Sequence, residues 1–432
     1  MARTYRWGAI ALVTVMAVGA AACGSSSKSS SGSNTTAASN SRGNVNGQLT
    51  IGALLPQSGD LSAIFKSLSV PVQMAVTEIN AAGGVNGKPV VLKSADDGTS
   101  PDVASSSLDT LVTTDKVDAI VGPASSGTAE GILDKIKTDG VVTCSGSNTS
   151  AALSVPGGAA GGYYFRTAPS DNLQGPALAQ LILNDNKHKV AILVRNDAYG
   201  TGFGGSLEKA LKAGGADVIV NAAYDPKSSD FKADVAKVAG KGADAIVVIG
   251  FNDDGGKIVK EMIAQNVGPK QVQIYTADGM QGSTFYKGVD PSNPAVVEGI
   301  KGTAPAAAPN GVQSPFIAAF KKTGIDTIFS SYYYDCTILI ALAAQAAGSD
   351  DPAKIRDKMI DVSSGGTKCF TYKQCSDLLK SGTDIDYSGA SGPVDLTNTH
   401  EPNEGVYDVW SYDAKGKPNN ITGVAQIKIT AS

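Results

Sequence analysis

The stretch LTIGALLPQSG, Leu49–Gly59, decides the fold. Leu49 to Leu55 is a mostly apolar run of strand length that ends in a Pro-Gln-Ser-Gly turn. The next apolar residues, Val72, Ala75, Val76 and Ile79, return at i, i+3, i+4 and i+7, the period of an amphipathic helix that stops at Gly83-Gly84. Pro71 suits the start of that helix. A buried strand followed by a helix with one apolar face is the repeating unit of a parallel sheet covered by helices.

Working outward, the unit recurs. Strand-like runs Pro89–Ser94, Asp118–Gly122 and Gly140–Cys144 alternate with helical stretches near Asp102–Val112 and Thr128–Thr138. A second series repeats the cadence with Lys189–Val194, Ala216–Val220, Ala243–Ile249 and Val272–Thr276, separated by helices near Gly205–Ala213, Phe231–Ala239 and Gly255–Asn266. The chain therefore reads as two similar α/β lobes, each with a parallel sheet. Phe165–Pro169, Val296–Ile300 and Gly405–Trp410 read as three crossover strands between them. This assigns residues 47–167 and 299–404 to lobe one, and residues 168–298 and 405–432 to lobe two. Hinge closure would then act near Ala168, Gly299 and Gly405.

The first 46 residues have another character. Arg3 and Arg6 precede an uncharged apolar segment, Trp7–Ala22, with the shape of a secretory signal rather than a full membrane span. Cys23 follows, then a Ser/Gly/Asn tract to Asn46 that has too few large apolar residues to order itself. The expectation is a signal peptide over residues 1–22, a lipidated Cys23 and a flexible tether over residues 23–46, placing the protein outside the cytoplasm and anchored to the cell membrane.

Lys and Arg number 36 against 40 Asp and Glu, giving a net charge of -4 with no basic block. That pattern excludes a nucleic-acid partner. Two histidines, no G-x-S-x-G elbow and no Gly-Lys-Ser phosphate loop argue against an enzyme, and no cofactor or metal is expected. His188 and His400 read as solvated surface. Asp96-Asp97 lacks the spacing of a calcium loop and reads as a strand end that fixes a turn. The cysteines after Cys23 number four and admit three pairings. The C-x5-C spacing of Cys369 and Cys375 can close one local loop, which would leave Cys144 to meet Cys336.

Ligands of open parallel sheets bind beyond the carboxyl ends of the strands. In lobe one those ends carry Leu55–Gly59, Gly122–Thr128 and Cys144–Ser150, rich in hydroxyls and free N–H groups that suit a carboxylate. In lobe two they carry Asn196–Gly200, Gly250–Asp254 and Thr276–Gly279, where Asp278 would suit a cation on the ligand.

Together Ile51–Gly59, Ala75–Pro89 with its Glu-Ile-Asn-Ala-Ala-Gly-Gly-Val run, Asp96-Asp97, Gly122-Pro123 with Ser126, Phe165-Arg166, Asp197–Gly200, Tyr334-Asp335 and Gly389–Pro393 carry a resemblance. The chain resembles the branched-chain amino-acid-binding proteins of ABC transporters, the Leu/Ile/Val type with the type I periplasmic-binding fold. The resemblance implies that Ser126 binds a ligand α-carboxylate and that Ser147 and Thr149 complete that pocket. It also implies that Asp278 receives the α-ammonium and that Tyr199 and Phe251 supply aromatic walls. Phe251 stands where the family has a Tyr, and the small Gly of the first loop is lost near Ile64 and Phe65, which leaves the ligand's identity open. Tyr332, Tyr333 and Tyr334 offer one further ring to the pocket or pack in the core. The partners implied are an amino-acid-like small molecule and an ABC permease, with the protein acting as a monomer on its lipid anchor. A ligand sensor that signals to a membrane partner is the alternative.

Overall fold

The computed structural model of the protein describes residues 45–431. The signal segment, Cys23 and nearly all of the tether lie outside the described residues. The chain begins with β1 (Thr50–Leu55), α1 (Phe65–Ala81), β2 (Val91–Asp96), α2 (Pro101–Asp109), β3 (Ala119–Val121), α3 (Ser126–Asp139), β4 (Val142–Ser145) and β5 (Tyr164–Arg166). These strands form one five-stranded, all-parallel sheet in the order β2-β1-β3-β4-β5. β1 is buried from Ile51 to Leu55, as a central strand covered on both faces must be.

The chain then runs through α4 (Asp171–Asn184), β6 (Lys189–Arg195), α5 (Ala198–Ala213), β7 (Asp217–Tyr224), α6 (Lys232–Val238), β8 (Ala245–Ile249), α7 (Asn252–Ala264), β9 (Gln273–Thr276), α8 (Tyr286–Val289) and β10 (Lys301–Pro305). The parallel part of this second sheet has the order β7-β6-β8-β9-β10, the same arrangement as the first, so the two lobes share one topology. After β10 come α9 (Pro315–Lys321), α10 (Ser330–Ala347), α11 (Pro352–Met359), β11 (Thr367–Cys369), α12 (Tyr372–Lys380), β12 (Ile385–Gly389) and β13 (Gly392–Pro393). α10 packs along α1 and against β3 and β4, and is buried from Ser330 to Ala344. The last strands, β14 (Glu404–Tyr412), β15 (Pro418–Asn420) and β16 (Ile427–Thr430), extend the second sheet with antiparallel pairs, β14 lying beside β10.

Three local expectations are corrected. Pro71 does not start α1 but sits buried inside it, because a 3-10 turn over Ser62–Ile64 leads the chain directly into the helix at Phe65. Val296–Ile300 is not a crossover strand: Pro294 opens a short 3-10 turn that ends at Val297, and Gly299 takes φ +83° before the strand begins at Lys301. Residues 301–305 are thus a strand of the second sheet. His400 is not solvated surface. Its ring stacks on Phe165 at 4.2 Å, and its Nδ1 lies 3.2 Å from the Tyr164 carbonyl. His188 is exposed.

Disulfides join Cys144 of β4 to Cys336 of α10, and Cys369 to Cys375 across the start of α12. Arg166 at the end of β5 is buried and donates to Glu401 through Nε at 2.7 Å, and to the carbonyls of Asn148 and Ser150 at 3.1 and 2.8 Å. One guanidinium thereby fixes the loop after β4 to the segment that leads into β14.

Candidate functional site

The carboxyl ends of β1, β3 and β4 face those of β6, β8 and β9 across a cleft. Its lining comprises Asp60, Leu61, Ala63 and Ile64 after β1, Ala124 to Ser126 at the start of α3, Ser147 after β4, Tyr199, Phe251 and Asn252 at helix starts in lobe two, Asp278, Gly279 and Gln281 after β9, and Ile328 and Phe329 before α10. These residues surround about 490 Å³ of empty space, part of it open to solvent.

On the lobe-one wall the loops are locked together by their own hydrogen bonds. Asp96 accepts from the backbone N–H groups of Gln57, Ser58 and Gly98, and Asp97 accepts from Thr99 N and Ala124 N at 2.7 and 2.9 Å. Gly122 takes φ +123°, and a Cβ there would lie 1.9 Å from the Leu54 carbonyl oxygen, so only glycine lets β3 turn into α3 at this point. Ser126 Oγ accepts from Thr149 N and Ser150 N, both at 3.2 Å. Its own proton is then the group left to donate, at the N-terminus of a 14-residue helix, a combination suited to a carboxylate. Ser147 also lines the cleft, but its hydroxyl donates to Ala124 O at 2.8 Å and pairs with Tyr333 at 2.9 Å. Thr149 lies behind that wall, buried, with an unpartnered hydroxyl.

On the lobe-two wall Tyr199 and Phe251 stack with ring centroids 5.5 Å apart, and the Arg195 guanidinium sits 3.7 Å over the Phe251 ring. Asp278 is buried and accepts from Gln174 Nε2 at 2.7 Å. Burial pushes its carboxyl up to about 6, against the opposing hydrogen bonds from Gln174 and Tyr199. No cation pairs with it among the described residues. Gly279 follows and donates its N–H to Tyr199 Oη at 3.3 Å, where a Cβ would approach the Gly250 carbonyl to 2.4 Å.

Of the residues singled out in the sequence, the structure brings Ser126, Ser147, Tyr199, Phe251 and Asp278 to one cleft and leaves Thr149 just behind it. Tyr332, Tyr333 and Tyr334 are core: their hydroxyls meet Ala306 O, Ser147 and Glu78. Sequence reasoning missed Arg195, Gln174, Asp171 and Phe329. Phe329 had no signal, since only the structure shows this cleft-lining aromatic at φ +56°, a conformation that bulky residues adopt where the surroundings impose it.

Comparison with known proteins agrees with this arrangement. The model of the periplasmic binding protein family matches residues 48–411. The chain is 27% identical to the chemotactic signal transduction system substrate-binding protein BasB of Halobacterium salinarum over 82% of this chain and 84% of that protein. It is 28% identical to Leu/Ile/Val-binding protein homolog 3 of Brucella melitensis, over 78% of this chain and 90% of the relative. Its fold matches the branched-chain amino acid transporter substrate binding protein LivJ of Streptococcus pneumoniae, solved with isoleucine, at a TM-score of 0.70 and 24% identity, covering 88% of this chain and all of that one. These relatives bind solutes and are not enzymes. The chain belongs to the periplasmic binding protein family, with the two-lobed type I fold, and is an extracytoplasmic solute-binding protein.

Proposed function

We propose that the cleft captures a small amino acid as a zwitterion and that the closed form delivers it to an ABC permease. The observation that carries this reading is the unlike chemistry of the two walls. One offers a helix N-terminus and the Ser126 hydroxyl to a carboxylate; the other offers Asp278, buried without a cation, to an ammonium group. Between them Tyr199, Phe251, Ile64 and Phe329 suit an apolar side chain. Ser147 contributes its main chain, and Thr149 its hydroxyl once the ligand is seated. Lobe closure acts through the segments that join the sheets, and lobe one comprises residues 47–167 with most of 299–404.

Upstream, Cys23 carries a lipid and the tether holds the lobes clear of the membrane. Replacing Cys23 with Ser releases the protein from the membrane fraction, whereas a variant that stays bound after processing overturns the anchor.

The cleft reading is tested by mass spectrometry of the small molecule released from purified protein, followed by a thermal-shift screen of amino acids, amides and aromatic acids. An amino acid that raises Tm supports it; a response confined to aromatic acids overturns it. The second reading, a lipid-anchored sensor, is favoured by the similarity to BasB, whose name places it in a chemotactic system. Transport reconstituted with the cognate permease decides between them.

A further inference from the structure

The segment Asp326–Phe329, which leads into α10, borders two spaces. Ile328 and Phe329 line the cleft, while Asp326, Thr327 and Ile328 line a second space of about 520 Å³, part of it open to solvent. Gln281, on the segment after β9, also lines both, so the two spaces meet at Gln281 and Ile328. Asp408 of β14 and Asn420 of β15 line the second space from the other sheet. Where the cleft is apolar, at Ile328 and Phe329, the space beside it offers two carboxyls, two amides and a hydroxyl.

Those carboxyls are held in place by their neighbours. Gln426 donates from Nε2 to Asp408 Oδ1 at 2.7 Å and to the Ala308 carbonyl at 3.2 Å, and its Oε1 accepts from Asn310 N at 2.8 Å. The whole amide is used, and its work is to orient Asp408. Asp326 Oδ2 accepts from Ser283 Oγ at 2.7 Å and from Ser283 N at 3.3 Å, which ties the segment before α10 to the segment after β9. A carboxyl accepts about four hydrogen bonds, so both keep room for another donor. Among the described residues no Lys or Arg lines this space; Lys321 lines a further one, which shares Asp408 and Asn420 with it.

We propose that this space is a subsite for the end of the ligand's side chain, and that it selects α-amino acids whose aliphatic stem ends in an N–H donor: an ammonium, a guanidinium or an amide. This rests on the reading of the cleft as an amino-acid site and deepens it. The α-carbon stays between Ser126 and Asp278, the stem lies along the apolar walls, and the tail passes Gln281 and Ile328 to reach Asp326 and Asp408. Methylene stems with polar heads suit such a route, since the stem covers apolar surface while the head keeps polar company. Selection works in both directions. A donor tail finds acceptors already oriented, whereas a carboxylate tail meets two carboxyls. A methyl tail displaces water from polar groups without replacing its hydrogen bonds.

The test measures, by calorimetry on the purified full chain, three probes that share one carbon skeleton: lysine, norleucine and 2-aminoadipate, whose side chains end in an ammonium, a methyl and a carboxylate. Lysine is expected to bind at least about 10-fold more tightly than norleucine, as a gained charged hydrogen bond requires, and 2-aminoadipate more weakly than either. Asp408→Asn and Asp326→Asn are each expected to lower the ratio of lysine to norleucine affinity at least about 5-fold. A merely structural role would weaken both ligands alike and leave that ratio in place. Should Asp408→Asn fail to fold, Asp326→Asn and the wild-type order decide. Norleucine, leucine or isoleucine binding as tightly as lysine, or a ratio unmoved in the variants, overturns the subsite while leaving the amino-acid reading intact. Binding of aromatic acids but of no amino acid overturns both.

Discussion

Two charge clusters centre on buried side chains of lobe two, and they differ in one respect. At one, Arg195 is met by Asp197 at 2.6 Å, Asp254 at 3.0 Å and Asp60, from the loop after β1, at 3.4 Å. At the other, Asp171 and Asp278 are buried, and no cation among the described residues forms an ion pair with either. A charge whose partner is built in holds the fold, and one whose partner is missing is poised for a partner from outside. The first cluster also shapes the cleft, since the Arg195 plane backs Phe251. The second pays no such structural return, which is why we read it as functional.

Breaking the first cluster has the largest effect expected. Arg195→Met leaves Asp254 buried without its cation, and removing one partner of a buried pair costs about 3–5 kcal/mol. Urea unfolding followed by circular dichroism reads the loss; a change under about 1 kcal/mol would show that the cluster is not structural.

At the second cluster the same operation acts on binding. Asp278→Ala weakens an amino-acid ligand at least 10-fold, on the order of 1.5–3 kcal/mol for a charged hydrogen-bonded pair. Its effect on the empty protein has the opposite sign. A carboxyl at about 6 when folded, against 3.8 when unfolded, costs stability progressively as pH rises from about 4 to 6. At neutral pH that cost is about 3 kcal/mol. Asp278→Asn should therefore leave the ligand-free protein more stable than wild type at pH 7, with the difference vanishing below about pH 4. Denaturant titrations of both proteins at several pH values check this, and a destabilised Asp278→Asn variant at pH 7 would place Asp278 with the structural cluster instead.

The smallest effect belongs to Asp60, whose side chain is 44% exposed and which reaches Arg195 from the opposite lobe. Asp60→Ala should cost below about 1 kcal/mol and show itself as a modestly faster ligand off-rate whose difference from wild type fades in high salt. An off-rate difference unaffected by salt would mean that the contact is not electrostatic.

The contrast also marks what could be read from sequence. β1 and α1 are legible because strand length and helical period are local properties of Leu49–Leu55 and Val72–Ile79. The site loops are legible for the same reason, since each follows a strand that periodicity identifies. Asp171 is not: in Pro-Ser-Asp-Asn it looks like any acidic residue in a first helical turn, and Ser170 does cap α4. Its burial comes from the packing of α4 against α5, β10 and β14, which no local window shows. Arg195 and His400 are opaque for a related reason: Asp254 and Asp60, which meet Arg195 beside its near neighbour Asp197, and Phe165, which stacks on His400, lie far away along the chain. The crossing near Val296 was misread because a β-branched pair outweighs, in a local window, the Pro294 and Gly299 that turn the chain.

The central claim is that the cleft is built for a ligand with a positive charge at its Asp278 end. The direct test titrates ligand-free protein at neutral pH with the amino acid that stabilises it most and with the 2-hydroxy acid of the same skeleton. The account predicts that exchanging the ammonium for a hydroxyl weakens binding at least 10-fold, as the loss of a charge-assisted pair requires. Equal affinity for the two would contradict it.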